Sequence, residues 1–403
     1  MDDLKISHVD PKVVDDVIEL LKSEFGKEAP LTISRGKVHE YLGMTIDFSV
    51  KGKVKFTMID YIENIIAELP ADMSGTARSP ASSHLFDVND DAEKLNTELS
   101  DFFHHNVAKL LFLCKRARPD IQTAVAFLCT RVKEPDVDDY KKLGRTMMYL
   151  RGTVKMPLTL EADECNIVKW WVDASFAVHP DMRSHTGGVM MLGKGAIYGT
   201  STRQKINTKS STEAELVGVN DILPQALWTR YFLEAQGYAV NESIVYQDNK
   251  STIQKLAENG KVSSGKRTRH INIRYFFIKD RVASGEVKIE YCPTNEMVGD
   301  FFTKPLHGMQ FIKFLDEIMN VNPTTYDDGS QDCRSVLNNI TDGVTEHSDR
   351  TNGDETNTGW KTVESKQDIK EKRKRSRLSS GKTEDVSRVN VKVNCKRTSF
   401  GNE

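Results

Sequence analysis

The sequence predicts an α/β protein: a mixed and increasingly helical N-terminal part, a second part ordered β-β-β-α-β-α-α-β-α, and a polar tail. Three observations predict it. Apolar residues switch from a helical to a two-residue period near Lys169. Strand and helix patterns then alternate. Beyond Asn320 apolar residues thin out among Thr, Asp, Asn, Gly and Ser, a composition that favours disorder.

Within residues 1–73, VVDDVIELLKSEFG reads as helix and VHEYLGMTIDFSV as extended chain. MIDYIENIIAEL reads as a helix with Ile59, Ile62, Ile66 and Leu69 on one face. Residues 74–100 turn to Gly, Ser, Pro, Asp and Asn and read as a linker. Residues 101–160 carry three helical patterns: VAKLLFLCKR, PDIQTAVAFLCTRV behind a first-turn Pro119, and DDYKKLGRTMMYLRG closing at Gly152.

In residues 165–319, KWWVDASFAV, GGVMML after a Gly187-Gly188 turn, and AIYGTSTRQ read as an antiparallel meander. A helix capped near Ser210 turns Leu216, Val219, Ile222 and Leu223 inward, and Pro224 predicts a kink about two turns beyond Glu215. Then come a strand (SIVYQD), a short helix (STIQKLAEN), a basic helix (RHINIRYFFIKDRV), a strand (EVKIEYC) and a last helix from about Met297. Residues 320–403 form the expected disordered tail, with a basic run from Lys370 to Arg377.

Over 403 residues the formal charge is only -2, so composition gives no global sign of nucleic-acid binding. Six cysteines without Cys-x-x-Cys pairs or nearby His at zinc-ligand spacing read as free thiols. With no leader pattern and no long apolar run, the expectation is no membrane contact and an intracellular location, cytoplasmic and/or nuclear.

KWWVDASFAVH, Lys169 to His179, sets Asp173 in the middle of an apolar strand, where an unpaired carboxylate is costly. Glu215 shares the buried face of its helix with Gly218, Val219 and Ile222. Glu213, about 200° around the helix, aligns with Asn220, so Glu215 is the candidate. Asp248 ends SIVYQD and Asp300 opens the last helix; singly, they also read as a helix cap and a helix-dipole partner. Four carboxylates at the mouth of one sheet repel unless divalent cations bind between them, and all-oxygen ligands favour Mg²⁺ or Mn²⁺.

VDASFA, SSTEAEL, QDNKSTI, RHINIRYFFI and GDFFTKPL, in that order across about Lys169 to Met319, resemble the ribonuclease H domain of copia-type LTR retrotransposon Pol polyproteins. The resemblance implies a ribonuclease H-like domain with a five-stranded mixed sheet flanked by helices. It implies cleavage of the RNA strand of RNA–DNA hybrids with two Mg²⁺ or Mn²⁺ ions, and catalytic and metal-ligand roles for Asp173, Glu215, Asp248 and Asp300. The His that cellular ribonucleases H carry just before the last Asp has no counterpart in PTNEMVG, between Cys292 and Asp300.

IDYIENIIAELP, KRARPDIQTAVAFLCTRV and MMYLRGT resemble the thumb and connection of the copia reverse transcriptase. MDDLKIS resembles the tail of a polymerase Asp-Asp motif, with Asp2 and Asp3 as its remnant pair. The implied plan is the end of the palm and the thumb at 1–73, a linker at 74–100, a helical connection at 101–160, ribonuclease H at 165–319 and the tail at 320–403. It implies a truncated reverse transcriptase, inactive as a polymerase by itself, with the missing upstream Pol segments as partners.

For nucleic-acid contact the candidates are Arg203, Lys205, Ser210, Ser211 and Thr212 beside Glu215, and Arg267, His270 and Arg274 on the basic helix. The alternative readings are helix capping and a solvated face. Two rival functions are a catalytically inactive nucleic-acid-binding remnant and an integrase-type transferase; the order Asp, Glu, Asp, Asp, with Glu on the first helix, argues against the second.

Overall fold

The computed structural model describes residues 2–26, 30–163, 166–257, 269–321 and 387–393. In chain order the N-terminal elements are β1 (Asp2–His8), α1 (Pro11–Phe25), β2 (Thr32–Arg35), β3 (Val38–Tyr41), β4 (Met44–Asp47), β5 (Lys53–Thr57) and α2 (Ile59–Ala67). Three helices follow: α3 (Thr97–Cys114), α4 (Gln122–Arg131) and α5 (Val137–Gly152). Next are β6 (Leu158–Ala162), β7 (Ile167–Ser175), β8 (His185–Met191), β9 (Gly193–Lys194), β10 (Tyr198–Arg203) and α6 (Ser211–Ala235). The remainder comprises β11 (Glu242–Gln247), α7 (Lys250–Ala257), α8 (Arg269–Ala283), β12 (Lys288–Tyr291), α9 (Gly308–Met319) and β13 (Ser387–Val393).

The chain divides into two compact units, Met1–His39 with Val344–Glu403, and Glu40–Gly343. In the first, β13 pairs antiparallel with both β1 and β2, and α1 packs Val14 and Ile18 beside Ile6 and Ile33. α1 starts cleanly because Asp10 accepts from Lys12 N at 2.9 Å and Pro11 presets the first turn. Most of the expected tail, including Lys370 to Arg377, lies outside the described residues. Within it, Ser387–Val393 is a strand, and the expectation of disorder does not apply there: Val389, Val391 and Val393 repeat every second residue, the period a strand needs.

In the second unit one sheet runs β3-β4-β5-β6-β9 and the other β10-β8-β7-β11-β12. The second sheet is mixed: β8 pairs antiparallel with β7 and β10, while β11 pairs parallel with β7 and β12. Helices cover both faces. On one, Val168, Trp170 and Val172 of β7 meet Val219, Ile222 and Leu223 of α6 and Ile278 of α8. On the other, Val189 and Met191 of β8 join a core that continues through α3, α4, α5 and α9. The helical stretch 101–160 and the mixed sheet thus share one core. Residues 74–96 lack long regular elements but bury Ser79, Ala81 and Leu85.

Two elements depart from the sequence reading. Gly187 and Gly188 do not turn; they lie inside β8, facing opposite sides of the sheet, and both sides are crowded. A Cβ at Gly187 would stand 2.6 Å from Thr303 Cγ2 and 2.8 Å from Phe302 Cβ, and one at Gly188 would meet Ile222 Cδ1 at 2.8 Å. Glycine is there for close approach of neighbouring segments. The last helix starts at Gly308 rather than Met297; Asp300 sits instead on a separate 3-10 turn, Val298–Phe302, ahead of Pro305. Pro224 lies inside α6, which continues through it to Ala235.

Candidate active site

Asp173 lies near the end of β7 and is 2% exposed. Side chains alternate across a strand, so Asp173 leaves the sheet on the face opposite Val172 and avoids the α6–α8 core. There it meets the Val298–Phe302 turn, which approaches closely because Gly299 has no side chain: a Cβ on Gly299 would lie 3.2 Å from Asp173 N. Thr303 Oγ1 and Lys304 Nζ both face Asp173 Oδ2, the first as a hydrogen-bond donor and the second at 3.4 Å.

Glu215 is on the second turn of α6, which begins at its N-cap Ser210, and it is 5% exposed. Glu213 points elsewhere and accepts from Lys209 N at 2.8 Å, closing the start of the helix. Asp248 follows β11 directly. The short helix after it is capped by Asn249, whose Oδ1 accepts from Thr252 N at 3.1 Å, so Asp248 is not used as a cap. It accepts instead from Thr294 Oγ1 at 3.0 Å. β7 and β11 are parallel neighbours, which brings Asp173 and Asp248 to the same end of the sheet.

The carboxylates of Asp173, Glu215 and Asp248 each offer an oxygen within 4.8 Å of the other two. Asp300, also buried, stands beside them with Oδ1 accepting from Lys304 Nζ at 2.8 Å. Burial first, then the Asp173 and Asp248 charges, hold the Glu215 carboxyl well above its usual range. Burial and Asp173 likewise raise Asp248, and they push Asp300 to about 7 against the opposing pull of Lys304. Burial works to lower the Lys304 ammonium, but the Asp173 and Asp300 charges outweigh it and raise it. A site of clustered carboxyl oxygens, short of positive charge, has the donor chemistry that fits a hard divalent cation such as Mg²⁺ or Mn²⁺.

Three supporting residues went unread in the sequence. Gln247, fully buried, donates Nε2 to Glu215 Oε2 at 3.1 Å and to Val172 O at 3.2 Å, while its Oε1 accepts from Asp248 N at 3.0 Å. Thr303 and Lys304 are the others. GDFFTKPL contained both, but only the fold shows that they reach back to Asp173.

Among the nucleic-acid candidates, Arg203 ends β10 and pairs with Asp181 at 3.1 Å. Lys205 and Ser211 are exposed, and Ser210 Oγ accepts from Glu213 N at 3.2 Å. Thr212, partly buried, accepts through its carbonyl from Thr252 Oγ1 at 3.4 Å. Arg274 is partly buried on α8, close enough to α6 for its charge to oppose the raised carboxyl of Asp221. Arg267 lies outside the described residues. His270 and the Asp2–Asp3 pair are placed by backbone only, in α8 and β1, their side chains being outside the described set. Cys114, Cys129 and Cys292 are free thiols, and no described helix is long and apolar enough to cross a membrane.

The mixed order β10-β8-β7-β11-β12, with helices on both faces and carboxylates at one end, is the ribonuclease H-like arrangement expected from the motifs. The relatives are Pol polyproteins of copia-like transposons, consistent with a Pol polyprotein fragment. The chain is 27% identical to the retrovirus-related Pol polyprotein from transposon TNT 1-94 of Nicotiana tabacum, across 73% of this chain and 22% of that protein. It is 26% identical to that of transposon RE1 of Arabidopsis thaliana, across 79% of this chain and 21% of the other. With RE2 of the same plant the identity is 30%, over 50% and 14%. The chain thus spans about a fifth of the length of the first two relatives.

No family model matches. Similar solved structures include the N-terminal RNase H domain of a Mycobacterium tuberculosis protein (TM-score 0.26, 15% identity, 34% of this chain and 90% of that one). Another is a compost-derived RNase H1 in complex with RNA/DNA hybrid (TM-score 0.25, 15% identity, 32% and 88%). A third is the foamy viral protease-reverse transcriptase in complex with dsDNA (TM-score 0.35, 10% identity, 64% and 45%). The homology to transposon Pol polyproteins supports a retroelement-related origin, and the fold is of the ribonuclease H-like type.

Proposed function

We propose that the chain is a retrotransposon-derived endoribonuclease that cuts the RNA strand of RNA–DNA hybrids, using two Mg²⁺ or Mn²⁺ ions held by Asp173, Glu215, Asp248 and Asp300. The observation that carries this reading is the convergence of three buried or half-buried carboxylates from β7, α6 and the end of β11 within 4.8 Å. Divalent ions, when bound, supply the Lewis-acid chemistry of phosphodiester hydrolysis.

The protein's own groups prepare that site. Asp173 is central, oriented by Thr303; Gln247 fixes Glu215; Thr294 holds Asp248; and Lys304 restrains Asp300. Ser210, Ser211 and Thr212 lie one turn ahead of Glu215, and Arg203 and Lys205 just before them. Such hydroxyl and cationic groups suit the phosphates of a hybrid and the 2′-hydroxyls by which it differs from a DNA duplex.

The test is cleavage of a labelled RNA–DNA hybrid by the purified 403-residue chain. The expected result is RNA cleavage with Mg²⁺ or Mn²⁺ and none with chelator. Asp173→Asn keeps the shape and removes a charge, so it should lower the rate by several orders of magnitude while the fold persists. Glu213→Gln retains the acceptor for Lys209 N and should change little. An active Asp173→Asn protein overturns the assignment. A wild-type protein that binds hybrid without cutting it favours the non-catalytic reading.

A further inference from the structure

The four carboxylates do not share their surroundings equally. Asp173, Glu215 and Asp248 form the tight trio, whereas Asp300 meets Asp173 across a cation already built into the chain. Lys304 Nζ lies 2.8 Å from Asp300 Oδ1 and 3.4 Å from Asp173 Oδ2. The lysine sits one turn beyond Asp300, after the 3-10 segment, and Thr303 beside it also binds Asp173. Its side chain remains 40% exposed, so the flexible stem has solvent to move into.

We propose that Lys304 is a tethered counter-ion that competes with a divalent cation for the Asp173–Asp300 pair, so that the two ion positions are inequivalent. This rests on the metal-dependent reading above. An ion on the Asp173–Glu215–Asp248 trio shares only Asp173 with the Lys304 ion pairs and need not displace the ammonium. An ion shared by Asp173 and Asp300 meets the ammonium's repulsion and must break its two ion pairs. The tether keeps the ammonium at high effective concentration beside the two carboxylates. Between additions of metal, the same lysine offsets the repulsion between Asp173 and Asp300 and preserves the shape of the turn.

Arg or Gln at this position should shift the competition in opposite directions. A guanidinium can engage both carboxylates in a fixed fork and is harder to dislodge; a carboxamide carries no charge. Titration of the full chain with Mn²⁺ alone, without nucleic acid, followed by calorimetry and by the rise in melting temperature, tests this directly. Lys304→Gln should bind the weaker Mn²⁺ about tenfold more tightly, the factor expected for losing two partly exposed ion pairs. Lys304→Arg should bind it more weakly than wild type. Lys304→Gln should also melt lower in chelator and gain more from saturating Mn²⁺; folding only in Mn²⁺ counts as the extreme of that result. Equal Mn²⁺ affinity in all three proteins, or weaker binding by the Gln variant, overturns the role of Lys304 while leaving the metal site standing. Absence of Mn²⁺ binding by any of them overturns both.

Discussion

Asp173 lies directly across the β7–β8 pairing from Gly187, and the side chain that Gly187 lacks is the space filled by Phe302 and Thr303. A glycine in one strand thereby lets the turn carrying Asp300 settle onto the aspartate of its neighbour.

Gly187→Ala should accordingly disturb site and fold together. Its Cβ would stand 2.6 Å from Thr303 Cγ2, well inside van der Waals contact. Overpacking of this kind costs about 1–3 kcal/mol. Urea denaturation should show that loss, and hybrid cleavage should fall because Thr303 and Asp300 are displaced. Wild-type stability and rate in this variant would show that the turn does not depend on Gly187.

Gln247→Leu should separate the positioning of Glu215 from its presence. The replacement keeps the volume but leaves Glu215 Oε2, Val172 O and Asp248 N without their buried partner. Unsatisfied groups of this kind cost roughly 1–3 kcal/mol. Metal affinity, read by calorimetry, should weaken beyond what the stability change explains, whereas Gln247→Glu should add a like charge and weaken stability further in chelator. A Leu variant with unchanged Mn²⁺ binding would make Gln247 a purely structural residue.

The pH dependence follows from carboxyls and imidazoles with opposite signs. Glu215, Asp248 and Asp300 have folded-state pKa values above their ordinary ones, so their contribution is fully present below about pH 4. In chelator it is lost as pH rises, through about 7 for Asp300. His179 and His185, whose rings meet at 3.0 Å, are lowered by burial to about 4 and about 3. Their contribution is present above about pH 6.5 and is lost as pH falls. The gain in melting temperature from Mg²⁺ over chelator should therefore widen from pH 4.5 to 7.5. With Mg²⁺ present, stability should decline below about pH 6.5. A Mg²⁺ gain that is flat across this range would mean that the carboxyls do not carry the metal dependence.

Away from the site, Arg118 and Asp120 form a buried pair through Nε at 2.9 Å and Nη2 at 2.7 Å, with Tyr149 OH donating to Asp120 at 2.8 Å and Thr153 O accepting from Arg118 at 2.9 Å. Asp120→Ala leaves the guanidinium buried without its counter-charge and should cost about 3–5 kcal/mol by urea denaturation. Replacing Arg118 and Asp120 together by apolar residues should recover part of that loss. Additive losses in the double variant would argue that the two charges are stabilised independently.

The sequence by itself determined the alternation of strands and helices and the acidic residues in their order. A two-residue period around Asp173 and a helical period around Glu215 are local properties of neighbouring residues, and they sufficed to prefer Glu215 to Glu213. Tertiary structure decided what surrounds those carboxylates. Gly187-Gly188 reads locally as a turn, and becomes strand because Phe302, Thr303 and Ile222, distant in sequence, occupy the space beside it. Gln247 reads as the polar end of an apolar run until β7 and α6 enclose it. Lys304 is separated from Asp173 by 130 residues of intervening fold, and no local period reports that they meet. The position of β7 between β8 and β11, and the core shared by residues 101–160 with the sheet, arise the same way. Side-chain periodicity specifies which face of an element is buried, whereas the partner buried against it is selected by the free energy of packing the whole chain.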